Sequence, residues 1–296
     1  MSYDPLRRCL LQAGFGGALL VPLRGFAGTG PQADPVSELQ ALEREHGGRL
    51  GVCILDTGSG AATGLRMDER FPMCSTFKTL AAANVLLRVD QGAESLDRHI
   101  AYSAGDLVAY SPVTEKYIGE PGMSLAGLCH AAITVSDNTA GNLLLDSFGG
   151  PAALTAFMRG LGDGVTRLDR REPDLNESIT GDPRDTTSPR AMASSLRTLL
   201  LGNALTVASR TQLAEWLVAT TTGGKRLREG LPGAWRVGDK TGTSNNGVTN
   251  DVAIAWPPER APLLVSAYYA ESPAPQPVRN EVLAEVGRIA AKWVAA

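Results

Sequence analysis

The sequence predicts an α/β (α+β) fold in which strands from both ends of the chain share one sheet and helices are inserted between them. Strand patterns occur near the beginning of the chain, at 50–66, and return near its end, at 235–269. Between these regions, from Thr76 onward, apolar residues recur mainly at helical spacing. Strands so far apart in sequence share a sheet when the intervening segment packs as a lobe of its own.

The first predicted elements are a helix and a β-hairpin. Asp34 can cap a helix that has a proline in its first turn and ends at Gly47. Residues 50–56 and 62–66 have strand character and flank a Thr-Gly-Ser-Gly turn. These signals place helix, strand, turn and strand in succession along the first part of the chain.

Further signals mark the later elements. Ser188 and Pro189 open a helix that Gly202 closes, and an amphipathic helix runs from about Pro277 to Val294. The three strand patterns before that last helix lie at 235–243, 251–256 and 263–269. The sequence predicts a signal peptide at 1–27. An α/β lobe follows, made of 34–72 plus 220–296, and the helical lobe is 73–219.

The first 27 residues are typical of an export signal. Arg7 and Arg8 precede a modestly apolar run that ends at Leu23, and small residues follow at 25–28. Glycines within the run disfavour a buried helix, and the run is short for a bilayer span. We therefore expect a secreted or periplasmic protein without a membrane span after signal removal. The paired arginines also suit the twin-arginine route.

Charge and composition exclude several classes of function. The 296 residues carry a formal net charge of -3 at pH 7, so no basic excess favours nucleic acid. The three histidines have no spacing that would bring two imidazoles onto one metal, and the four cysteines form no CxxC pair. We therefore expect a monomer with a small-molecule substrate, no metal and no cofactor.

The first chemical motif is a serine followed by a lysine. Ser75 and Lys78 stand three residues apart where a helix begins, so the hydroxyl and the amine share one face. This geometry can activate a serine without histidine. A capping serine beside a solvated lysine is the alternative for this motif taken alone.

Two further motifs follow in the chain. The segment Ser136–Asn138 offers a second hydroxyl and an amide at a break between helices. The segment Lys240–Thr243 lies in a predicted strand, where its glycine lets a ligand approach the backbone. Each motif is weak evidence alone. Their common order, and their use of two of the five lysines, predict a serine–lysine active site.

These motifs resemble the S-x-x-K, S-D-N and K-T-G set of the serine β-lactamase and penicillin-binding protein superfamily. The segment Arg170–Asn176 resembles the Ω-loop of class A serine β-lactamases, and the likeness extends from about Asp34 to Ala296. It implies a five-stranded antiparallel sheet flanked by helices, an inserted all-helical lobe, and an active site in the cleft between them. It also implies hydrolysis of penicillins and cephalosporins through a serine acyl-enzyme, and hence antibiotic resistance.

The resemblance also implies a role for each site residue. Ser75 is the nucleophile, and either Lys78 or Glu172 acting through a water accepts its proton; both options stay open. Ser136, beside Lys240, would pass a proton to the ring nitrogen, and Glu172 would activate the deacylating water. The residues expected to contact or hold the substrate and the water are Tyr110, Asn138, Asn176, Arg226, Thr241, Gly242 and Thr243.

Structural features follow from the same resemblance. An ion pair between Arg170 and Asp185 should clamp the Ω-loop, and Pro173 should follow a cis peptide bond. The disulfides known in the family would fail here, because their partner positions hold Ala82 and Ser244. We therefore expect every cysteine of the mature chain to be a free thiol.

The anchor for the substrate carboxylate is expected to depart from the commonest family pattern. Many class A enzymes carry an arginine on the strand after K-T-G, where this chain has Thr249. Arg226 matches the position from which other members send an arginine into the same space. We therefore expect Arg226, and not Arg228, to bind the carboxylate. The alternative is that both arginines are solvated loop charges.

Two other functions share part of this pattern. A penicillin-binding DD-peptidase has the three motifs but lacks an Ω-loop glutamate, so it stays acylated; Glu172 and Asn176 argue against it. A non-catalytic penicillin-sensing module would usually carry a membrane span or a fused domain, and the sequence contains no pattern for either.

Overall fold

The chain folds into helices and strands whose bounds follow the sequence patterns closely near both ends. A computed structural model describes residues 34–295. The helices are α1 (Pro35–His46), α2 (Phe77–Asp90), α3 (Leu125–Thr134), α4 (Asn138–Ser147), α5 (Gly150–Gly160), α6 (Pro189–Leu200), α7 (Val207–Val218), α8 (Leu227–Gly230) and α9 (Gln276–Ala295). The strands are β1 (Arg49–Asp56), β2 (Ala62–Leu65), β3 (Phe71–Pro72), β4 (His99–Tyr102), β5 (Gly119–Ser124), β6 (Thr186–Thr187), β7 (Arg236–Ser244), β8 (Val248–Trp256) and β9 (Leu263–Ala270).

A five-stranded antiparallel sheet joins the two ends of the chain. Its strand order is β2-β1-β9-β8-β7, so the early hairpin pairs with the last strand, as predicted. Helices cover both faces, which explains why all eight residues of β9 are buried and why its sequence lacks polar alternation. The predicted fold class is confirmed.

Two apolar clusters hold the sheet between its helices. On one face α1 and α9 contribute Leu39 and Leu283, and both side chains are buried. The other cluster contains α2, whose residues from Phe77 to Leu86 are all buried. A helix buried all round needs no polar face, and this accounts for the weak amphipathicity of α2.

Helix starts follow the predicted signals with one exception. Ser188 caps α6, where its hydroxyl accepts the backbone N–H of Ala191 at 3.2 Å. Asp34 occupies the capping position of α1, but its side chain makes no capping hydrogen bond. The start of α1 was therefore predicted correctly, but the capping hydrogen bond of Asp34 was not found.

Four short strands in and just before the inserted segment were not indicated by periodicity. β4 pairs with β5, and β3 pairs with β6 through Phe71 opposite Thr187. The β3–β6 pair ties the chain just before Ser75 to the chain just after Asp185. It therefore brings two regions of the predicted site together.

Three predictions concern the ends and the cysteines. The expected signal peptide, residues 1–27, lies outside the described residues. Among the helices of 34–295, none combines the length and the apolar character needed to cross a membrane. Cys53, Cys74 and Cys129 are buried, and none of the three is paired with another.

Candidate active site

The turn that carries Ser75 is fixed by contacts with the sheet. Cys74, just before the serine, has a positive φ of 45°, a strained conformation of the kind that clusters at functional sites. The side-chain amide of Asn250 donates to the carbonyls of Pro72 and Met73, at 2.8 and 3.1 Å. A Cβ at Gly242 would lie 2.8 Å from the Met73 carbonyl oxygen, so only glycine lets β7 pass this close.

Ser75 lies between an amine and a carboxylate. Its hydroxyl donates to Glu172 Oε1 at 2.9 Å and accepts from Lys78 Nζ at 3.0 Å. Lys78 Nζ is also 3.0 Å from Glu172 Oε1, and both of these side chains are fully buried. Burial lowers the pKa of Lys78, while the charge of Glu172 opposes that shift. Either group is therefore within reach of the serine proton.

A second hydroxyl faces the same space from the other side. Lys240 Nζ donates to Ser136 Oγ at 2.9 Å, and Lys78 Nζ donates to Ser136 O at 2.8 Å and to Asn138 Oδ1 at 2.6 Å. Burial, and then the charge of Lys78, hold the pKa of Lys240 well below its usual value. The two lysines thus connect the three sequence motifs into one hydrogen-bonded cluster.

Asp137 has a structural part in this cluster. Its carboxylate accepts the backbone N–H groups of Val113, Thr114 and Ala140 and the hydroxyl of Thr114, all between 2.8 and 3.0 Å. It caps α4 and holds the segment that follows Tyr110. The aspartate of the second motif therefore builds the wall of the site without entering it.

The Ω-loop is held at Glu172 by an asparagine that the sequence reasoning missed. Asn142 donates to the Glu172 carbonyl at 2.9 Å and accepts its N–H at 3.0 Å. Asn142 follows Asn138 by four residues on α4, and this spacing was the available signal. Asn176 donates from its amide to Glu172 Oε2.

The two structural features expected of the Ω-loop are present. Arg170 Nε donates to Asp185 Oδ2 at 2.6 Å, and Asp185 Oδ1 accepts two backbone N–H groups of the Ω-loop region, those of Asp169 and Arg170. The Glu172–Pro173 peptide bond is cis.

Arg226 reaches the site from the start of α8. Its guanidinium donates to the carbonyls of Gly242 and Asn250, at 3.0 and 2.7 Å, and to Thr243 Oγ1 at 2.8 Å. Its Nε donates to Asn280 Oδ1 at 3.0 Å. All four acceptors are neutral, and the side chain is 7% exposed. The guanidinium is therefore buried at the edge of β7 with its charge uncompensated by direct contact.

The alternative that Arg226 and Arg228 are both solvated loop charges is wrong, and Arg228 has a buried partner. Its guanidinium donates through Nε and Nη2 to Asp239 Oδ1, and the Asp239 side chain is fully buried. The cause is α8, a four-residue helix that turns this side chain toward the sheet. A single helical turn leaves too short a pattern for the sequence to indicate this direction.

The space beside Thr249 is filled by other side chains. Thr249 lies opposite Thr243 in the sheet and is fully buried, and its hydroxyl accepts from Gln276 and from Arg279 Nε, at 2.9 and 3.0 Å. Two side chains of α9 therefore occupy the region beside this threonine.

An open cleft of about 1190 Å³ lies above these groups. Tyr110 stands at its rim with 60% of its surface exposed. The predicted residues that line it are Ser75, Tyr110, Ser136, Asn138, Arg170, Pro173, Asn176, Arg226, Thr241 and Thr243. Those not in its lining are Lys78, Glu172, Asp185, Lys240 and Gly242. Additional lining comes from Ala109, Asp174, Glu177, Thr222, Ser244, Asn245 and Asn246.

Comparison with known proteins gives consistent matches. The model of the "Beta-lactamase enzyme family" matches residues 34–294. The chain is 50% identical over 273 residues to "Beta-lactamase AST-1" of Nocardia asteroides, covering 92% of this chain and 87% of that protein. It is 48% identical over 271 residues to "Carbapenem-hydrolyzing beta-lactamase KPC" of Klebsiella oxytoca, covering 91% and 92%. The solved "Ancestral (GNCA) Beta-lactamase class A" has a TM-score of 0.87 and 62% identity, covering 88% of this chain and 100% of that one.

Proposed function

The chain belongs to the beta-lactamase enzyme family as a class A serine β-lactamase, and from this premise we propose how its residues divide the hydrolysis of a β-lactam amide among them. The enzyme opens penicillins and cephalosporins and so gives antibiotic resistance. One observation carries the assignment: Ser75, Lys78 and Glu172 are mutually within 3.0 Å in a buried cluster. A nucleophile, an amine and a carboxylate in one place suit both formation and hydrolysis of an acyl-enzyme.

Acylation begins when Ser75 Oγ attacks the β-lactam carbonyl and its proton passes to Lys78 or, through a water, to Glu172. The backbone N–H groups of Ser75 and Thr243 receive the oxyanion. The C–N bond then breaks, and Ser136 gives its proton to the leaving nitrogen. Lys240 supports this transfer, since its Nζ donates to the Ser136 hydroxyl and stabilises negative charge there. The proton taken from Ser75 passes on to Ser136 through Lys78, whose Nζ lies 3.5 Å from Ser136 Oγ.

Deacylation requires a base above the ester. Glu172, held by Asn176 through Oε2, takes a proton from a water that attacks the acyl carbonyl. The C–O bond to Ser75 then breaks, and Glu172 returns the proton to Ser75 Oγ, which lies 2.9 Å from Oε1. The double hydrogen bond of Asn142 to the Glu172 backbone supports this assignment, because a positioned base is far more effective than a mobile one.

Different residues of the cleft contact the side chain of the substrate and its ring carboxylate. Asn138 binds the side-chain amide of the substrate, and Tyr110 covers the ring from the rim. The ring carboxylate is bound by Arg226 with the hydroxyls of Thr241 and Thr243, and Gly242 leaves room for the backbone to approach. The Arg226–Thr243 contact of 2.8 Å supports this grouping.

We also propose the setting in which the enzyme works. Residues 34–72 with 220–296 form an α/β lobe, residues 73–219 form the helical lobe, and the cleft lies between them. The support is that the sheet takes its strands from both ends of the chain. The enzyme acts as a monomer in the periplasm after removal of residues 1–27, with the twin-arginine route as one option. Sequencing the N-terminus of the exported protein and replacing Arg7 and Arg8 by lysine test this.

Turnover of a chromogenic cephalosporin tests the hydrolase directly. The purified mature protein should convert many equivalents per active site. A burst that stops after one equivalent would identify a penicillin-binding DD-peptidase, the alternative function, and would overturn the roles given to Glu172 and Asn176. Ser75→Ala serves as the control and should give neither burst nor turnover.

A further inference from the structure

We propose that Asp251, a fully buried carboxyl in β8, is a positioning residue for Arg226 and so tunes recognition of the substrate carboxylate. The inference rests on the proposed role of Arg226, because Asp251 acts only through it. Asp251 is not part of the cleft lining, and none of the three sequence motifs contains it.

The first step of the argument is a backbone contact. Asp251 Oδ2 accepts the N–H of Leu227 at 3.1 Å, and Leu227 directly follows Arg226. Leu227 is also the first residue of α8, where backbone N–H groups lack helical partners. The carboxyl therefore satisfies this orphan donor and fixes the peptide from which the Arg226 side chain extends.

The second step concerns the opposite side of α8. A Cβ at Gly230 would lie 1.8 Å from the Ala284 carbonyl oxygen, and a Cβ at Gly287 would lie 2.5 Å from that of Leu227. The short helix is thus pressed against α9, while Asp251 holds its first N–H from the sheet. Without the carboxyl, the backbone N–H of Leu227 loses this hydrogen bond.

The third step concerns charge. Within 34–295, Arg226 makes no ion pair, and its hydrogen-bond acceptors are all neutral. Burial, and then the charge of Asp239, raise the pKa of Asp251 well above its ordinary value. A shift in this direction favours protonation, and a protonated Asp251 can accept the Leu227 N–H without cancelling the charge that Arg226 offers to a substrate.

The test compares benzylpenicillin with its methyl ester, which lacks the ring carboxylate. Arg226→Ala should lower kcat/KM for the acid about 10- to 100-fold, the value of one charge-assisted hydrogen bond, and change the ester little. Asp251→Ala should lower kcat/KM for the acid about tenfold, mainly through KM, because the anchor is displaced. Asp251→Asn keeps an acceptor oxygen and should restore most of the activity.

A matched control separates positioning from stability. Val265→Ala removes buried apolar volume from the neighbouring strand β9 and should affect both substrates equally. If Asp251→Ala also lowers acid and ester equally, or still lowers the acid when combined with Arg226→Ala, Asp251 is merely structural. If Arg226→Ala leaves kcat/KM for the acid unchanged, the proposed role of Arg226 and this inference are both wrong. If Arg226→Ala lowers it but Asp251→Ala does not, only the inference about Asp251 is wrong. If Asp251→Ala does not fold, Asp251→Ser is measured in its place.

Discussion

At the residue scale, the site places two buried lysines and one carboxylate, that of Glu172, close to Ser75 and Ser136. Lys78 and Lys240 are both fully buried, and both share the space around Ser136. Only Glu172 stands within ion-pair distance of either lysine among the described residues. Removing that carboxylate changes the chemistry after acylation most strongly, because the ester then has no adjacent base.

Glu172→Ala should therefore form the acyl-enzyme and hydrolyse it extremely slowly. Mass spectrometry after mixing with benzylpenicillin should show a persistent adduct on Ser75. Asn142→Ala should show a milder form of the same defect, because it frees the Glu172 backbone without removing the carboxylate. Turnover near the wild-type rate in the Glu172 variant would remove this residue from the mechanism.

A second prediction at this scale concerns Asp251 and pH. Its carboxyl faces Asp239, Arg226 and Arg228, and burial followed by repulsion from Asp239 raises its folded-state pKa above 3.8. The folded state therefore binds the proton more tightly than the unfolded state, so this group favours folding below pH 3.8 and that contribution is lost as pH rises. Asp251→Asn should match the wild type in stability near pH 3 and exceed it increasingly toward neutral pH.

The measurement is the free energy of unfolding in denaturant for both proteins across that pH range. Each unit of pKa difference corresponds to about 1.4 kcal/mol. A stability difference that is constant with pH would show that the pKa of Asp251 is not raised by folding.

A third prediction concerns the ion pair of Arg228 with Asp239. Arg228→Ala leaves the buried Asp239 carboxylate without its partner, so it should lower the free energy of unfolding by about 3–5 kcal/mol. Lys225 stands nearby on the chain and is exposed, and Lys225→Ala should leave stability unchanged. Equal denaturation midpoints for the two variants would contradict the ion pair.

At the scale of the element, the Ω-loop depends on one aspartate beyond its end. Asp185 has a positive φ of 57°, is 1% exposed, and binds both the Arg170 side chain and two successive backbone N–H groups. Asp185→Ala should slow deacylation more than acylation, because Glu172 loses its fixed position. Pre-steady-state kinetics separates the two steps. Unaltered deacylation would show that the clamp is dispensable.

Elements also show how far the sequence could predict this protein. Long sequence patterns with clear boundary signals predicted the bounds of α6, α9 and the strands of the main sheet to within a few residues. The pair of β4 with β5 was missed, because its strands are short and their partners are set by tertiary contacts. The inward direction of Arg228 was missed for a similar reason. The site was predictable because its motifs require particular side chains, whereas Asn142 and Asp251 act through backbone groups that no motif records.

At the scale of the whole molecule, the core shields every thiol that the structure describes. Burial raises the pKa of Cys53 to about 11 and that of Cys74 to about 12, so thiolate is scarce at neutral pH. The native mature protein should react with a thiol reagent only slowly, and the denatured protein should reveal three free thiols. Recovery of a single thiol would prove an unexpected disulfide.

The pairing of β1 with β9 also has a consequence for synthesis. The hairpin of β1 and β2 leaves the ribosome early, but its neighbour in the sheet is made about two hundred residues later, so β1 keeps an unpaired edge throughout elongation. Contacts this distant in sequence slow folding. The nascent chain therefore cannot complete its central sheet until its last strand emerges. A polypeptide stopped before Leu263 should stay sensitive to protease, however much of the active site it already contains.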